Sequence, residues 1–468
     1  MSNNLVIYEQ FAEDFGPLTL TRPVCGLRVG TSTLAEKIAG RGQYGSAKVH
    51  FITRPYLAGT VPQVVYFKEI FARGATVNDP AAFAGGGLFV DGAVIASLST
   101  MPPLDGPNEI GIVNEAFDEN GKPVERRRVV YARLDAAAIA KVGAFENALK
   151  DPDAAGVPVK EAAGITVAAF PWSLIILSAK AIEAEFKERN KRNTFTPEGV
   201  IIRGSREGSF ISEKADVFPG AQLDLRGGSV YIGENVEVQS SVLLDARGGA
   251  IIMEDSPGEK TIIQAGSQIC GPAVIGRANQ IKQATVREGS SFGPVCRIGG
   301  EIEESIILGY SNKQHYGFMG HAVIGEWVNW GAGSTNSDLK NDYSNVEVEL
   351  SRGRRINSRQ NKTVGCYFGD HTKTALGAFF NTGSVAGIMS NILMNQVTED
   401  KYLPHFAIYD NGRIIINRAA LKTAETVMSR RGVPLTPEYK AMMDHLAEQF
   451  RAETREMWKA TQKPKAQA

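Results

Sequence analysis

Between Gly309 and Tyr343 the chain reads GYSNKQHYGFMGHAVIGEWVNWGAGSTNSDLKNDY, a stretch rich in side chains that move protons, carry charge or donate hydrogen bonds. It holds Lys313, His315, His321, Asn329, Asn336, Lys340 and Asn341. Three of the six histidines, His315, His321 and His371, lie between positions 315 and 371. A metal centre needs three or four convergent N, O or S ligands. His315 and His321 stand six residues apart, which in a six-residue repeat places them on adjacent faces, so a zinc or iron site is disfavoured. A second set lies nearer the N-terminus. Arg22 and Arg28 can each clamp a phosphate through a bidentate fork, Lys37 follows on the next helix, and Asp91 succeeds the strand-like Leu88-Phe89-Val90 where a Mg²⁺-binding carboxylate is expected. Plainer readings stand beside these: surface or inter-domain ion pairs for the arginines, and a turn for Asp91-Gly92. Gly85-Gly86-Gly87 has no Walker-type lysine after it and reads as a flexible loop.

These residues need a frame. With 468 residues, a prior of about 150 per domain gives two or three domains. Lys plus Arg and Asp plus Glu both number 51, so the net charge is zero. That balance argues against a broad basic surface for nucleic acid. No apolar run reaches the ~18 residues of a membrane span. Leu5-Val6-Ile7-Tyr8 has no basic region before it and reads as a strand rather than a signal peptide. The four cysteines, Cys25, Cys270, Cys296 and Cys366, form no C-x-x-C pair, which points to reduced thiols in a cytoplasmic protein. Glycine stands out, at 49 of 468 residues against about 7% in average usage.

Residues 1–195 alternate strands and helices. Leu5–Tyr8, Val49–Ile52, Val64–Phe67, Leu88–Val90 and Ile165–Phe170 read as strands, and Thr33–Ala39, Ala136–Leu149 and Ser173–Lys191 as helices. The alternation predicts an α/β layer domain with a mostly parallel sheet, whose ligands sit at the carboxyl ends of the strands, first of all after Tyr8. After the charged stretch 185–194 the pattern changes. Ile232, Val238 and Leu244 recur at six residues; so do Ile263, Ile269, Ile275 and Ile281, then Phe318, Ile324 and Trp330, then Val364, Asp370, Leu376, Thr382 and Ile388. Glycine follows many of these positions. A six-residue period with an inward aliphatic and a small neighbour predicts a parallel β-helix, while a β-sandwich would repeat at about 8–12. The breaks at 245–262 and 336–360 read as loops leaving the coil. Ala419–Arg431 and Pro437–Trp458 read as helices capping the solenoid, followed by a frayed tail from Lys459 to Ala468.

Gly320–Gly333, read as Gly-x-Ala-x-Ile-Gly-x-x-Val-Asn-x-Gly-Ala-Gly, resembles the acetyltransferase half of the bacterial bifunctional N-acetylglucosamine-1-phosphate uridylyltransferase/glucosamine-1-phosphate acetyltransferases. Pro17-Leu-Thr-Leu-Thr-Arg-Pro23, Leu27-Arg-Val-Gly30, GYSNKQH and GDHTKT (Gly369–Thr374) resemble a divergent sugar nucleotidyltransferase branch of that family. The likeness covers most of residues 1–435 and is strongest over 298–395. It implies an α/β nucleotidyltransferase-like (Rossmann-like) domain over 1–195, a left-handed parallel β-helix over 196–395, and a C-terminal helical extension over 396–468.

By resemblance, His315 is the general base of acetyl transfer, a role suited to imidazole near neutral pH, and Asn329 holds the sugar and the histidine region. A solvated histidine is the plainer alternative. Lys313, Phe318, Ala332, Asn336 and Lys340 would contact sugar phosphate or acetyl-CoA, with Phe318 where the family has tyrosine; Lys340 also reads as a surface lysine. Arg22, Arg28 and Lys37 would hold the nucleotide and Asp91 the Mg²⁺. The family's Leu-x-x-Gly-x-Gly-Thr-Arg-Met loop and later Pro-Lys do not stand here. The implied substrates are a nucleoside triphosphate, a sugar 1-phosphate and acetyl-CoA, and the product is an activated sugar for the cell envelope. The implied assembly is a homotrimer with acetyl-transfer sites between subunits, without nucleic acid or membrane. The alternative is a non-catalytic or single-activity paralogue whose trimeric β-helix binds a sugar nucleotide or scaffolds a partner.

Overall fold

The computed structural model describes residues 3–142, 145–394, 396–397 and 400–462. Asn4–Tyr8 is buried along its whole length, as befits an apolar run in a sheet covered on both faces. It pairs in parallel with Lys48–Ile52 on one side and Gly86–Asp91 on the other. The sheet then turns antiparallel: Gly86–Asp91 pairs with Lys122–Asp135, which pairs with Glu109–Glu119. The nine-stranded sheet is therefore mixed rather than mostly parallel.

The long hairpin 109–135 was not among the sequence expectations, although its signal is local. Asn120 and Gly121 carry positive φ values of 50° and 75° between two alternating strands, the Asn-Gly turn chemistry of a tight hairpin. Two expected strands are absent. Residues 65–67 form a 3₁₀ turn, and 165–170 contributes one antiparallel bridge, Val94 to Val167. Gly86 and Gly87 do not form a loop; they open a strand, where a Cβ on Gly87 would lie 2.6 Å from the Asn4 carbonyl oxygen.

Helix Leu34–Ala39 starts at a capping box between Thr33 and Glu36. The expected helix 136–149 is two pieces, Ala136–Val142 and Phe145–Lys150, with residues 143 and 144 outside the described set. Pro171–Arg189 opens on proline and ends at Asn190 in the left-handed conformation.

From Ile201 onward the strands stack as a parallel coil. Ile201 lies beside Gln222, Phe210 beside Tyr231 and Asp216 beside Glu237, one coil of 21 residues. Later coils shorten, with Tyr367 beside Val385 and Lys373 beside Asn391 at the 18 residues of three hexapeptides. Ile232, Val238, Leu244, Ile263, Ile269, Ile275, Ile281, Ile324 and Trp330 fill one continuous core. The last register is displaced. Phe368, Phe380, Ala386 and Ile392 face the coil interior, whereas Leu376 is 75% exposed. Val364 and Ile388 are buried in clusters shared with the N-terminal domain. The coil thus has an inner stripe and an outer docking stripe, and the six-residue period marks both.

The break after Asn336 leaves the coil and returns through an antiparallel bridge between Leu339 and Thr363. Its strands Glu347–Ser351 and Arg354–Asn357 form a hairpin that extends the N-terminal sheet by pairing with Asp118–Glu119. Helices Ala420–Ser429 and Pro437–Thr461 place Ala420, Ala424, Met442, Met443 and Leu446 in the core of the N-terminal domain. They are therefore a brace between domains more than a lid on the solenoid. The tail expected to fray lies outside the described residues from 463 onward.

Candidate active sites

Where the first parallel strand ends, the chain makes no glycine loop. Glu9 accepts hydrogen bonds from the Thr53 hydroxyl (2.6 Å), the Arg54 backbone N–H (2.8 Å) and the Val24 backbone N–H (3.1 Å). Phe11 then adopts φ 50°, ψ 43°, a conformation rare for a bulky residue and found where surrounding structure enforces it. A cleft of about 1090 Å³ opens here between the loop, the hairpin 109–135 and residues 146–152, lined in part by Gln10, Phe11, Asn114, Arg126, Arg127 and Lys150. Arg126 and Arg128 lie over the Phe11 ring at 3.7 and 4.8 Å from its centroid, within cation–π range. Two buried polar atoms beside this cleft have no hydrogen-bond partner among the described residues, the Gln10 Oε1 and the Arg128 Nη2. Such atoms are costly unless a ligand or water satisfies them.

Asp91 sits at the carboxyl end of its strand and is fully buried. Its Oδ1 accepts from the Ala93 backbone N–H (3.0 Å) and its Oδ2 from the Arg128 Nη1 (2.8 Å). Burial pushes the Asp91 carboxyl up and the Arg128 guanidinium pulls it back. The Arg128 Nε donates to Glu115 (2.8 Å), the carboxylate that also accepts from the Arg126 Nε (2.5 Å). Mg²⁺ demands near-octahedral oxygen ligation. Both Asp91 oxygens are engaged, and among the described residues no three His, Cys, Asp or Glu side chains are placed to hold a metal ion. These residues do not fit a divalent cation.

Arg22, Arg28 and Lys37 are all buried, each beside a carboxylate from far along the chain. The Arg22 fork meets Asp370, which also accepts from the Thr21 hydroxyl (2.7 Å), and lies 3.4 Å from Glu326. Arg28 donates to the Thr31 carbonyl and to the Ser291 hydroxyl, with Glu254 at 3.6 Å. Lys37 pairs with Glu185 at 2.5 Å; burial pushes its pKa down, against that pairing. The first two contacts join the α/β domain to the coil, the ion-pair reading of these arginines.

On the coil, residues 314–317 form a turn between the strands Asn312–Lys313 and Phe318–Gly320. Lys313 points inward, and its ammonium donates to the carbonyls of Gly299 (2.8 Å), His315 (2.9 Å) and Gly317 (2.7 Å). All three of its donors are used, and burial pulls its pKa down to about 8. The His315 side chain is exposed. On the next coil Asn329 pairs with Asn312, and the Gly333 backbone N–H donates to the Tyr316 carbonyl (3.0 Å). The turn bearing His315 therefore stacks on the turn 331–334, with exposed Asn329 and half-buried Ala332 at the same corner.

The other expected contacts diverge. Asn336 is buried and bonds the Gly320 backbone at both its Oδ1 (3.1 Å) and its Nδ2 (2.8 Å). Lys340 donates to the Asn345 carbonyl (2.7 Å) and the Ser344 hydroxyl (3.3 Å) within its own loop. Phe318 is half-buried, with its ring edge 2.5 Å from where a Gly320 Cβ would lie. His321 is enclosed by carboxylates, with Asp338 at 2.7 Å on Nδ1 and Glu304 at 3.2 Å on Nε2. Burial alone would lower its pKa, but the two carboxylates lift it to about 9. A doubly engaged, charged imidazole is no proton acceptor. His371 donates to or accepts from the Tyr439 hydroxyl at 3.0 Å, and burial pushes its pKa down.

Sequence reasoning missed Gln10, Phe11, Arg126, Arg127 and Arg128. The run Arg126-Arg127-Arg128 entering an apolar strand end was the available signal, since a charge in a buried strand demands a partner.

Residues 5–194 match the family model described as sugar nucleotidyl transferase. A bifunctional sugar-1-phosphate nucleotidylyltransferase/acetyltransferase of Sulfurisphaera tokodaii is 34% identical over 92 residues, 20% of this chain and 22% of its own. The bifunctional protein GlmU of Shouchella clausii is 26% identical over 31% of this chain and 36% of its own; that of Streptococcus uberis is 27% identical over 32% and 37%. The chain thus spans little more than a third of the length of these relatives at most. The solved UDP-N-acetylglucosamine acyltransferase of Francisella novicida aligns with 57% of this chain and 87% of its own at a TM-score of 0.33 and 15% identity, too distant to bear on site or activity. Residues 5–194 are thus similar to the sugar nucleotidyl transferase family, and shorter stretches of the chain are similar to bifunctional nucleotidylyltransferase/acetyltransferases.

Proposed function

We propose that this protein is a two-site transferase that makes an activated amino sugar. It would join a nucleotide to a sugar 1-phosphate in the cleft beside the first strand, and acetylate an amino-sugar phosphate from acetyl-CoA at the His315 corner. The observation that carries the acetyl-transfer half is the solvent-facing His315 on a turn fixed from inside by Lys313 and stacked over the turn 331–334 that holds Ala332, with Asn329 beside Asn312 on the same two coils. The sugar amine attacks the thioester carbonyl, the C–N bond forms and the C–S bond breaks; His315 takes the amine proton and returns one to the leaving thiolate. Asn329 and Ala332 line the approach, while Lys313 and Asn336 shape the turns and Lys340 holds its own loop.

In the cleft, an oxygen of the sugar phosphate attacks the α-phosphate of a nucleoside triphosphate and pyrophosphate leaves. Arg127 and Lys150, both exposed at the cleft, supply positive charge for the phosphates, with the buried Arg128 guanidinium behind Phe11 adding its fixed charge. The exposed corner of the coil suits a homotrimer in which a neighbour covers His315, and the working environment is the cytoplasm, without nucleic acid or membrane; no helix among the described residues is long and apolar enough to cross one.

A second reading, a single-activity or binding paralogue, is favoured by the engagement of Arg22, Arg28 and Lys37 beside carboxylates. Purified protein assayed with glucosamine 1-phosphate and acetyl-CoA, and separately with a panel of nucleoside triphosphates and sugar 1-phosphates, separates the two. Thiol release and pyrophosphate release support the two-site enzyme. Thiol release alone leaves the single-activity form, and silence in both leaves only binding.

A further inference from the structure

We propose that the guanidinium of Arg128 stands permanently in place of the divalent cation at Asp91, so that the cleft beside the first strand binds phosphate esters without a metal. The inference rests on the reading of that cleft as a phosphate-binding site. Asp91 ends a central strand in the position where a cation-binding carboxylate was expected. Arg128 reaches it from the neighbouring antiparallel strand at 2.8 Å and is itself fully buried. A metal at Asp91 would have to displace that side chain into a space closed by Phe11 and Glu115.

The arginine is built in on every side. Nη1 serves Asp91, Nε serves Glu115, the face of the guanidinium lies over Phe11, and Nη2 is buried without a partner. A divalent ion at this point would offer positive charge to a phosphate; the buried Arg128 guanidinium, directly behind Phe11 at the cleft wall, offers its fixed charge in that ion's stead. Gln10, nine-tenths buried with an unpartnered Oε1, lies in the same cleft and supplies an acceptor for a ligand N–H. The left-handed backbone of Phe11 holds its ring under both arginines. The arrangement is a fixed cationic floor beneath the cleft.

Mn²⁺ titration of the full chain, followed by electron paramagnetic resonance, tests this directly. The expected result is no site tighter than about 1 mM, the weak end of protein sites for hard divalent cations, and no difference between the wild type and Asp91→Asn. A tighter Mn²⁺ site that Asp91→Asn removes would overturn the inference. Calorimetric titration with inorganic pyrophosphate gives the second arm. Affinity within about twofold in EDTA and in Mg²⁺ is expected, with about a tenfold loss in Arg128→Lys, which keeps the charge but not the fork. Pyrophosphate binding that appears only with Mg²⁺ overturns the inference while leaving the cleft reading intact. No pyrophosphate binding in either buffer overturns the cleft reading, and with it the metal-free binding.

Discussion

The two candidate sites handle charge in opposite ways. At the cleft beside the first strand almost every cation is already committed: Arg126 to Asp14 and Glu115, Arg128 to Asp91 and Glu115, and behind them Arg22 to Asp370. At the coil corner the candidate base, His315, is exposed, and the charge beneath it, Lys313, is spent on backbone carbonyls. One site holds its electrostatics inside the protein and offers few free donors. The other holds its geometry inside and leaves its imidazole open. Rigid scaffolds commonly present functional groups on turns in this second way.

Substitutions that break this contrast have a clear order of effect. Arg22→Met removes the partner of the buried carboxylate of Asp370 and of the partly exposed Glu326, between the domains. Stranding buried charge costs about 3–5 kcal/mol, so a large fall in the midpoint of urea unfolding is expected. A fall of the size seen for a surface residue would show that the domains do not depend on this junction.

His321 gives a pH-resolved version of the same test at the coil. Its folded-state pKa is raised to about 9 from an unfolded value near 6.5. The stabilisation it lends is therefore complete below about pH 6.5 and lost as pH rises through about 9. The stability gap between wild type and His321→Asn should be about 2–3 kcal/mol at pH 6 and close to nothing at pH 9.5. A gap independent of pH would mean that Asp338 and Glu304 do not hold the charged imidazole.

The smallest effect on stability is expected from Lys313→Met, which leaves three carbonyls without their donor at about 1–3 kcal/mol. Its consequence for function should be larger than for stability, because the turn carrying His315 loses its internal tie. Thiol release should fall while pyrophosphate release is unchanged; equal loss of both would point to general unfolding instead.

Much of the architecture was legible because it is local or periodic. Ile263, Ile269, Ile275 and Ile281 announce a coil by spacing alone, and all are buried in it. The same period misplaced the last register, since Val364 and Ile388 are buried against the other domain and Leu376 is exposed. A six-residue period reports that a face is buried, not against what. The partners of Arg22 and Arg28 were out of reach for a different reason. Asp370 and Glu254 are hundreds of residues from the arginines they meet, and pairing at that range is set by the docking of domains. The His321–Asp338 pair was within reach, as its separation of 17 residues is one turn of the coil. The Asn120-Gly121 hairpin was legible too, and it carries three arginines into the cleft region.

The central claim is that two transfers occur at two separate places, with His315 serving one of them. The most direct measurement compares wild type and His315→Ala for thiol release from acetyl-CoA with an amino-sugar phosphate, and for pyrophosphate release from a nucleoside triphosphate. Removal of a general base should lower thiol release by about 10²–10⁴-fold, with pyrophosphate release unchanged. Thiol release that survives in His315→Ala, or that the wild type never shows with any amino-sugar phosphate, would contradict it.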